Sequence, residues 1–468
     1  MSRAYVRIFS TIAVALVAVQ RLNSTSSSDN AISGTTKTFI QNENGQVIKA
    51  KQLKTNRRTR LFFVKNDNAP LIHVMINFKN SGPAHLERIK AGIPYLYEHI
   101  FCCGCGKYSK SQILKALKDI SCDMTCNVTQ DSLSFSVTIP KIVMQEALFL
   151  IYCIINEPRF EENAVKNIQL SLPGPGRSME NLMHFAIHTI IPSLIFRSHT
   201  YENGIYGRDE DFINLTIDDM RKYRNKYLTA ANAEVCICGN LTENEAIQLV
   251  NQIFASTNKN VEKTNDIVAD VVPKIKPDVK HYYVNGTLST VIFVQKGVLK
   301  KSSKRYAAML LYHIIGAPGV FKSRILSTLR TQLGLIYRGN VCSRSLVHAD
   351  LYLGMLQTDN SNVERVMNAV KNILKQIKTG SITKSDLDFA KRNMKGKILI
   401  NMRTTASICN FFYDAMIHNL GENALEDFIK GINSVTLDDI HMVARELLDE
   451  ENMLFVVIGG KCKKKKNS

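Results

Sequence analysis

The chain has 468 residues, 45% of them hydrophobic, and a formal net charge of +19. That length exceeds one ordinary core, and that apolar content excludes global disorder. The charge would suit nucleic acid or an anionic surface, but there is no aromatic-interleaved basic stripe and no Arg-rich recognition helix, so nucleic acid is not an expected partner.

The first 28 residues carry Arg3, Arg7 and Arg21, many Ser and Thr, and no acid. This composition fits a mitochondrial transit peptide. The apolar run from Ile8 to Val19 also suits the core of a secretory signal, and it is too short to span a bilayer. Gln20-Arg21-Leu22-Asn23-Ser24 resembles a matrix-processing site, which favours the mitochondrial reading and assigns residues 1–36 to a transit or disordered leader. No later run is apolar enough for a convincing transmembrane helix, so any membrane association is expected to be peripheral.

Leu61 to Val64 and Ile72 to Phe78 read as strands around an Asn-Asp-Asn turn. Gly92-Ile93-Pro94 then leads into Tyr95-Leu96-Tyr97-Glu98-His99. This looks like the zinc motif H-x-x-E-H with its first histidine replaced by tyrosine. Two histidines at i and i+4 share a helix face and can grip one Zn²⁺, while the Glu takes a proton from the metal-bound water. Here only Glu98 and His99 remain, and a neutral phenol at Tyr95 is a poor ligand. Cys102, Cys103 and Cys105 follow without a C-x-x-C spacing, and read as reduced, buried or half-buried thiols.

Ser111 to Ile120 is expected to be a helix, with Ile113, Leu117 and Ile120 on one face. Leu133, Phe135, Val137 and Ile139 alternate as a half-buried strand ending at Pro140, and a long helix is expected from Lys141 through Ile155. Pro173-Gly174-Pro175-Gly176 should break any helix there.

Two stretches repeat at a constant offset of 220 residues. Thr216, Asp218, Asp219, Leu228, Asn232 and Gly239 match Thr436, Asp438, Asp439, Leu448, Asn452 and Gly459. Each Thr is a natural N-cap with two acids in the first turn. An amphipathic helix and an apolar strand stopped by glycine follow in both copies. So long a period means a duplicated domain. The polar stretch 257–278, with Pro273 and Pro277, reads as the linker. Beyond it, Leu351, Leu353 and Met355 alternate as a strand. Val363 to Ile377 forms a helix with Gly380 as C-cap. The fold expected is α+β: two homologous halves, 37–256 and 279–460, each a mostly antiparallel sheet packed by helices on one face. A Lys-rich tail, 461–468, reads as solvated.

From about residue 37 onward the sequence resembles the pitrilysin/insulinase metallopeptidase family, in particular its mitochondrial branch. The resemblance rests on Val74-Met-Ile-Asn-Phe78, Gly92 with the degenerate motif, and Phe160. In the second half it rests on Leu329-Arg330, Leu333-Gly334-Leu335-Ile336-Tyr337, and Thr379 to Thr383 followed by Leu387 and Ala390-Lys391. The family's third ligand, a Glu, would fall near Pro175, where the chain has none; Glu162 and Glu180 flank the gap. Arg330 and Tyr337 match positions that hold substrate in active relatives, and can equally be a helix-surface charge and a buried aromatic.

The resemblance therefore implies no metal, no cofactor, and no peptidase activity, with zinc affinity collapsing for want of ligands. It implies a non-catalytic structural core subunit of ubiquinol–cytochrome c reductase, respiratory complex III, on the matrix side of the mitochondrial inner membrane. Its partners there would be that complex's subunits and a homologous core-protein-1-like or peptidase-subunit-like chain. The alternative is the substrate-recognising subunit of the mitochondrial processing peptidase, whose long Gly-rich loop would correspond here to the short, Pro-stiffened Ile314 to Phe321. A second alternative is an active zinc endopeptidase.

Overall fold

The computed structural model describes residues 48–56, 58–170, 179–256, 263–265 and 267–460, with side chains of residues 179–181 left out. The leader, the Pro-Gly run and the Lys tail lie outside the described residues. Strands β1 (Lys51–Lys54), β2 (Arg60–Lys65), β3 (Leu71–Lys79), β4 (Asp123–Val128), β5 (Ser132–Pro140) and β6 (Ala233–Gly239) make the first sheet, in the order β1-β2-β6-β3-β5-β4. Strands β7 (Asp278–Tyr283), β8 (Leu288–Lys296), β9 (Arg338–Ser345), β10 (Asp350–Asp359) and β11 (Leu454–Gly459) make the second, in the order β7-β11-β8-β10-β9. In each, one pair is parallel, β2 with β6 and β7 with β11, and the remaining pairs are antiparallel. Leaving out the edge strand β1, the two sheets have one topology.

Register explains why these residues choose strands. Ile72, Val74, Ile76 and Phe78 lie opposite Ile139, Val137, Phe135 and Leu133, so both strands turn apolar side chains to one face. The repeated helices, Ile217–Tyr227 and Leu437–Leu447, start alike. Thr216 and Thr436 each accept the N–H of the Asp three residues on, at 3.2 Å in both, and that Asp accepts the Thr N–H in return. Gly380, at φ +98°, closes Val363–Lys378 with the expected left-handed cap.

One expectation needs correcting. The helix expected from Lys141 opens as a 3₁₀ turn, Lys141–Val143, and becomes α-helical only from Met144 to Asn156, because Val143 leaves helical dihedrals (φ −112°, ψ 22°) as the chain climbs off β5. The polar linker is packed down where it is described: Val268 is buried, the Val271 N–H donates to the His348 carbonyl at 2.9 Å, and the Lys274 N–H donates to the Ile195 carbonyl at 2.9 Å.

From Lys49 onward the chain is one compact unit. Each sheet has its own helices on one face and a helix from the other half on the opposite face. Helix Thr405–Ile417, from the second half, lies against β3 and β6. Reciprocally, the helical segment from Leu182 to Ile195 packs with Ile292, Val294, Leu351, Leu353, Leu454, Val456 and Ile458 of the second sheet. The alternation needed for this is present in β8, where Val291 and Phe293 enter the second half's own core and Ile292 and Val294 the shared one.

Candidate functional site

Helix α1 (Ile93–Ile100) carries the degenerate motif. Pro94 in its first turn is preset for helix, and Ile93, Leu96, Tyr97 and Ile100 are buried. Gly92 lets the neighbouring segment approach closely: a Cβ there would meet the Phe212 ring at 2.6 Å and the Tyr206 carbonyl at 2.8 Å. That approach puts Tyr206 against α1, its ring centroid 4.5 Å from that of Tyr95.

Tyr95 and His99 share a helix face, as the i, i+4 spacing predicts, with rings 4.3 Å apart. The His99 Nδ1–H donates to the Tyr95 carbonyl at 3.0 Å, leaving Nε2 as the one imidazole lone pair available. Burial, reinforced by the Glu98 charge, pushes the Tyr95 phenol up to about 12. Burial also raises Glu98 to about 7, against a backbone hydrogen bond from Val128 that pulls the other way.

The neighbours are equally unsuited to a dication. The Tyr206 hydroxyl is hydrogen-bonded to His184 Nδ1. His184 lies against His188, centroids 4.2 Å apart, and His188 Nδ1 accepts from the Arg344 guanidinium at 3.0 Å. Arg344 also donates to the Ile187 carbonyl. Burial first, then Arg344 and His184, drive His188 down to about 2, so it is neutral. Arg344, half-buried and lowered to about 10 by desolvation, keeps its charge at neutral pH. A chain of contacts thus runs from Tyr95 through Tyr206, His184 and His188 to a half-buried cation, Arg344, from β9 in the second half.

Zinc does not fit this donor set. Two conventional donors, Glu98 and His99, stand beside a neutral phenol, and no group of three or more His, Cys, Asp or Glu able to hold a metal occurs among the described residues. The lost-acid position near Pro175 lies outside the described residues, as does the Glu180 side chain. Glu162 is exposed and bound to Lys166 at 2.7 Å, one turn along its own helix. Cys103 and Cys105 are buried and Cys102 is half-buried, all with thiols raised by burial.

Arg330 and Tyr337 find their partners within the second half. Arg330 lies over the Phe321 ring at 5.1 Å, and the Tyr337 hydroxyl donates to Asp359 at 3.0 Å. The buried-aromatic reading of Tyr337 is overturned: it is 54% exposed, because it ends the connection just before β9 at the sheet edge. The second-half side chain that hydrogen-bonds the histidine pair is Arg344 instead. Sequence reasoning missed Arg344, Tyr206 and the His184/His188 pair; only the i, i+4 spacing of the two histidines carried a signal.

Residues 72–207 match the profile described as insulinase, peptidase family M16, and residues 214–394 match that of the peptidase M16 inactive domain. The chain belongs to the M16 peptidase family. A Helicobacter pylori M16 relative, named non-peptidase homolog YmxG, is 19% identical over 86% of this chain and 93% of its own length. An uncharacterized zinc protease YmxG of Bacillus subtilis is 21% identical, covering 78% and 88%. The mitochondrial-processing peptidase subunit beta of Saccharomyces cerevisiae is 19% identical, covering 82% and 83%. Among solved structures, a peptidase M16 inactive domain from Pseudomonas fluorescens superposes with a TM-score of 0.78 at 19% identity, over 88% of this chain and 98% of that one. At such identity the M16 fold is shared, and the site must be read from this chain's own residues.

Proposed function

We propose that this chain is a non-catalytic M16 subunit that works by pairing with a homologous chain. The observation that carries the reading is the donor set on α1: Tyr95 in place of a ligand, and the half-buried Arg344 cation joined to the same cluster through His188, His184 and Tyr206. In zinc-assisted hydrolysis the general base acts on a metal-bound water, and Glu98, raised to about 7, has none that these residues can hold. The non-peptidase name of one relative supports the reading; the zinc-protease name of another is the reason it needs a test.

For the setting, the mitochondrial-branch motifs support the complex III core subunit. The short connection after Gly316 supports it over a substrate-recognising processing subunit, since it offers no Gly-rich loop. The second reading, a processing-peptidase partner, draws on the yeast beta-subunit relative. In either setting the chain acts at the matrix side of the inner membrane without crossing it; no helix among the described residues is long and apolar enough to do so.

The test is a native pull-down of the tagged full-length chain with partners identified by mass spectrometry. Cytochrome b and cytochrome c₁ with a homologous chain support the core-subunit reading. A soluble partner with an intact H-x-x-E-H supports the processing reading. Recovery of the chain alone, as a monomer, overturns the subunit proposal.

A further inference from the structure

The two sheets differ at one edge. In the first, β2 carries β1 on its outer side, antiparallel over four residue pairs, from Lys51 with Phe63 to Lys54 with Arg60. Helix Glu243–Ile253 holds β1 in turn: Lys51 Nζ donates to Glu243 at 2.7 Å, and Leu53 shares the core with Ala246, Leu249 and Val250. In the second sheet the place of β2 is taken by β7, the parallel neighbour of the last strand, and no strand among the described residues pairs with its outer edge. The stretch that could fold back on that edge is committed elsewhere. Val268 is in the shared core, and the Val271 and Lys274 N–H groups are taken by the carbonyls of His348 and Ile195.

Alternation along β7 sets what the edge offers. The N–H groups of Asp278 and Val284 donate to the carbonyls of Met453 and Gly459, so even-numbered residues face β11 and odd-numbered ones turn their backbone groups outward. The outward Val279 N–H is met by the Asp278 carboxylate at 2.8 Å. The Val279 carbonyl and both backbone groups of His281 have no partner among the described residues. Such a row is a template for a further strand. The odd-numbered side chains, Val279, His281 and Tyr283, line a groove of about 600 Å³ with Val457 and with Val363 and Met367 of helix Val363–Lys378. Val279 is 41% exposed there. Charge around the edge is one-sided: residues 274–283 carry Lys274, Lys276 and Lys280 against one acid, Asp278, which Lys280 already meets at 2.8 Å.

We infer that β7 takes up an extended segment of the partner chain as an added antiparallel strand, in the way that β2 takes β1. That segment has apolar residues at alternate positions and acids between them. The apolar side chains enter the groove beside Val279 and Met367, and the acids fall on the other face, beside Lys280, where opposite charges on neighbouring strands attract. The inference rests on the subunit reading for its partner and names the surface that holds it. A second copy of this chain suits the edge less, since two β7 strands centred on Lys280 would oppose like charges.

The test is fluorescence anisotropy of a fluorescein-labelled peptide, Glu-Val-Glu-Leu-Glu-Val-Glu, titrated with the full chain. It is expected to bind, and the same peptide with Lys for every Glu to bind about tenfold or more weakly, as two or three reversed cross-strand pairs imply. His281→Pro removes an outward donor and no bond to β11, and should weaken the acidic peptide about tenfold. Val279→Glu, at an exposed position, puts a charge into the groove and should weaken it as well, which keeps the test decisive if the proline variant does not fold. Equal binding of the two peptides, no rise in anisotropy, or a folded variant of either kind that binds as the parent does overturns the inference. A dimer of the chain alone that His281→Pro dissociates, read by sedimentation, also overturns it and makes a second copy the occupant. Partner recovery from the native pull-down that is unchanged in a folded His281→Pro variant overturns the inference and leaves the subunit reading standing. A chain recovered alone that still binds the acidic peptide overturns the subunit reading and supports the edge.

Discussion

The outer faces of the two sheets are covered by the same device, a helix lent by the other half, yet they are made of different material. On the second sheet the shared face is mostly apolar, with Ile292, Val294, Leu351, Leu353, Leu454, Val456 and Ile458, and Arg344 beside Leu351 is its charged exception. On the first sheet the face under Thr405–Ile417 is polar. The buried Cys409 thiol lies within 3.6 Å of the His73 carbonyl and 3.3 Å of the Cys236 carbonyl, and the Tyr413 hydroxyl donates to Asn77 at 3.2 Å. His73, buried and lowered to about 4, accompanies them as a neutral ring. An apolar contact supplies adhesion that is indifferent to orientation; buried hydrogen bonds add little net energy but penalise every misplacement. One contact holds the halves together and the other fixes how they meet.

The largest expected effect breaks the apolar contact. Leu353→Ala should cost about 3 kcal/mol, read from denaturant unfolding, because a rigid sheet face cannot collapse around the lost volume. A second prediction tests the first half's habit of burying ionisable groups. Glu98 is raised from about 4.5 to about 7, so its contribution is fully present below pH ~4.5 and is lost as pH rises through ~7. Glu98→Gln should therefore stabilise the protein by about 1–2 kcal/mol near pH 8, after discounting for partial exposure, and by nothing measurable near pH 4. A wild-type-like pH profile in this variant would remove the burial argument. Tyr413→Phe should cost about 1 kcal/mol, a smaller loss than Leu353→Ala, since it strips one hydrogen bond and leaves the packing. Thr216→Ala and Thr436→Ala should each cost about 1 kcal/mol or less, and equally, because the two capping boxes share one geometry. Unequal losses would mean the duplicated elements have diverged in packing.

The duplication was legible because its marks are local: a capping Thr, an Asp three residues on, an apolar strand and a glycine. The strands were legible because β3 and β5 alternate against one buried face. The exchange of covering helices was not. Thr405–Ile417 does carry one buried stripe, Thr405, Ile408, Cys409, Phe412, Ala415 and Met416, but a stripe marks a face to be covered and not which half's sheet covers it. Within the site, Tyr95, Glu98 and His99 were legible as a motif one turn long. Tyr206 and Arg344 arrive from 107 and 245 residues beyond His99, and only the fold brings them in. A π-helical turn at Ala186–Ile190 sets where His188 points, and no residue preference announces it.

The most direct test of the central claim, that α1 no longer holds a catalytic metal, is the zinc content of the purified full-length chain, measured by plasma mass spectrometry after equilibration with equimolar zinc and dialysis. The account predicts far less than one zinc per chain. One tightly held zinc, lost in a His99→Ala variant, would contradict it.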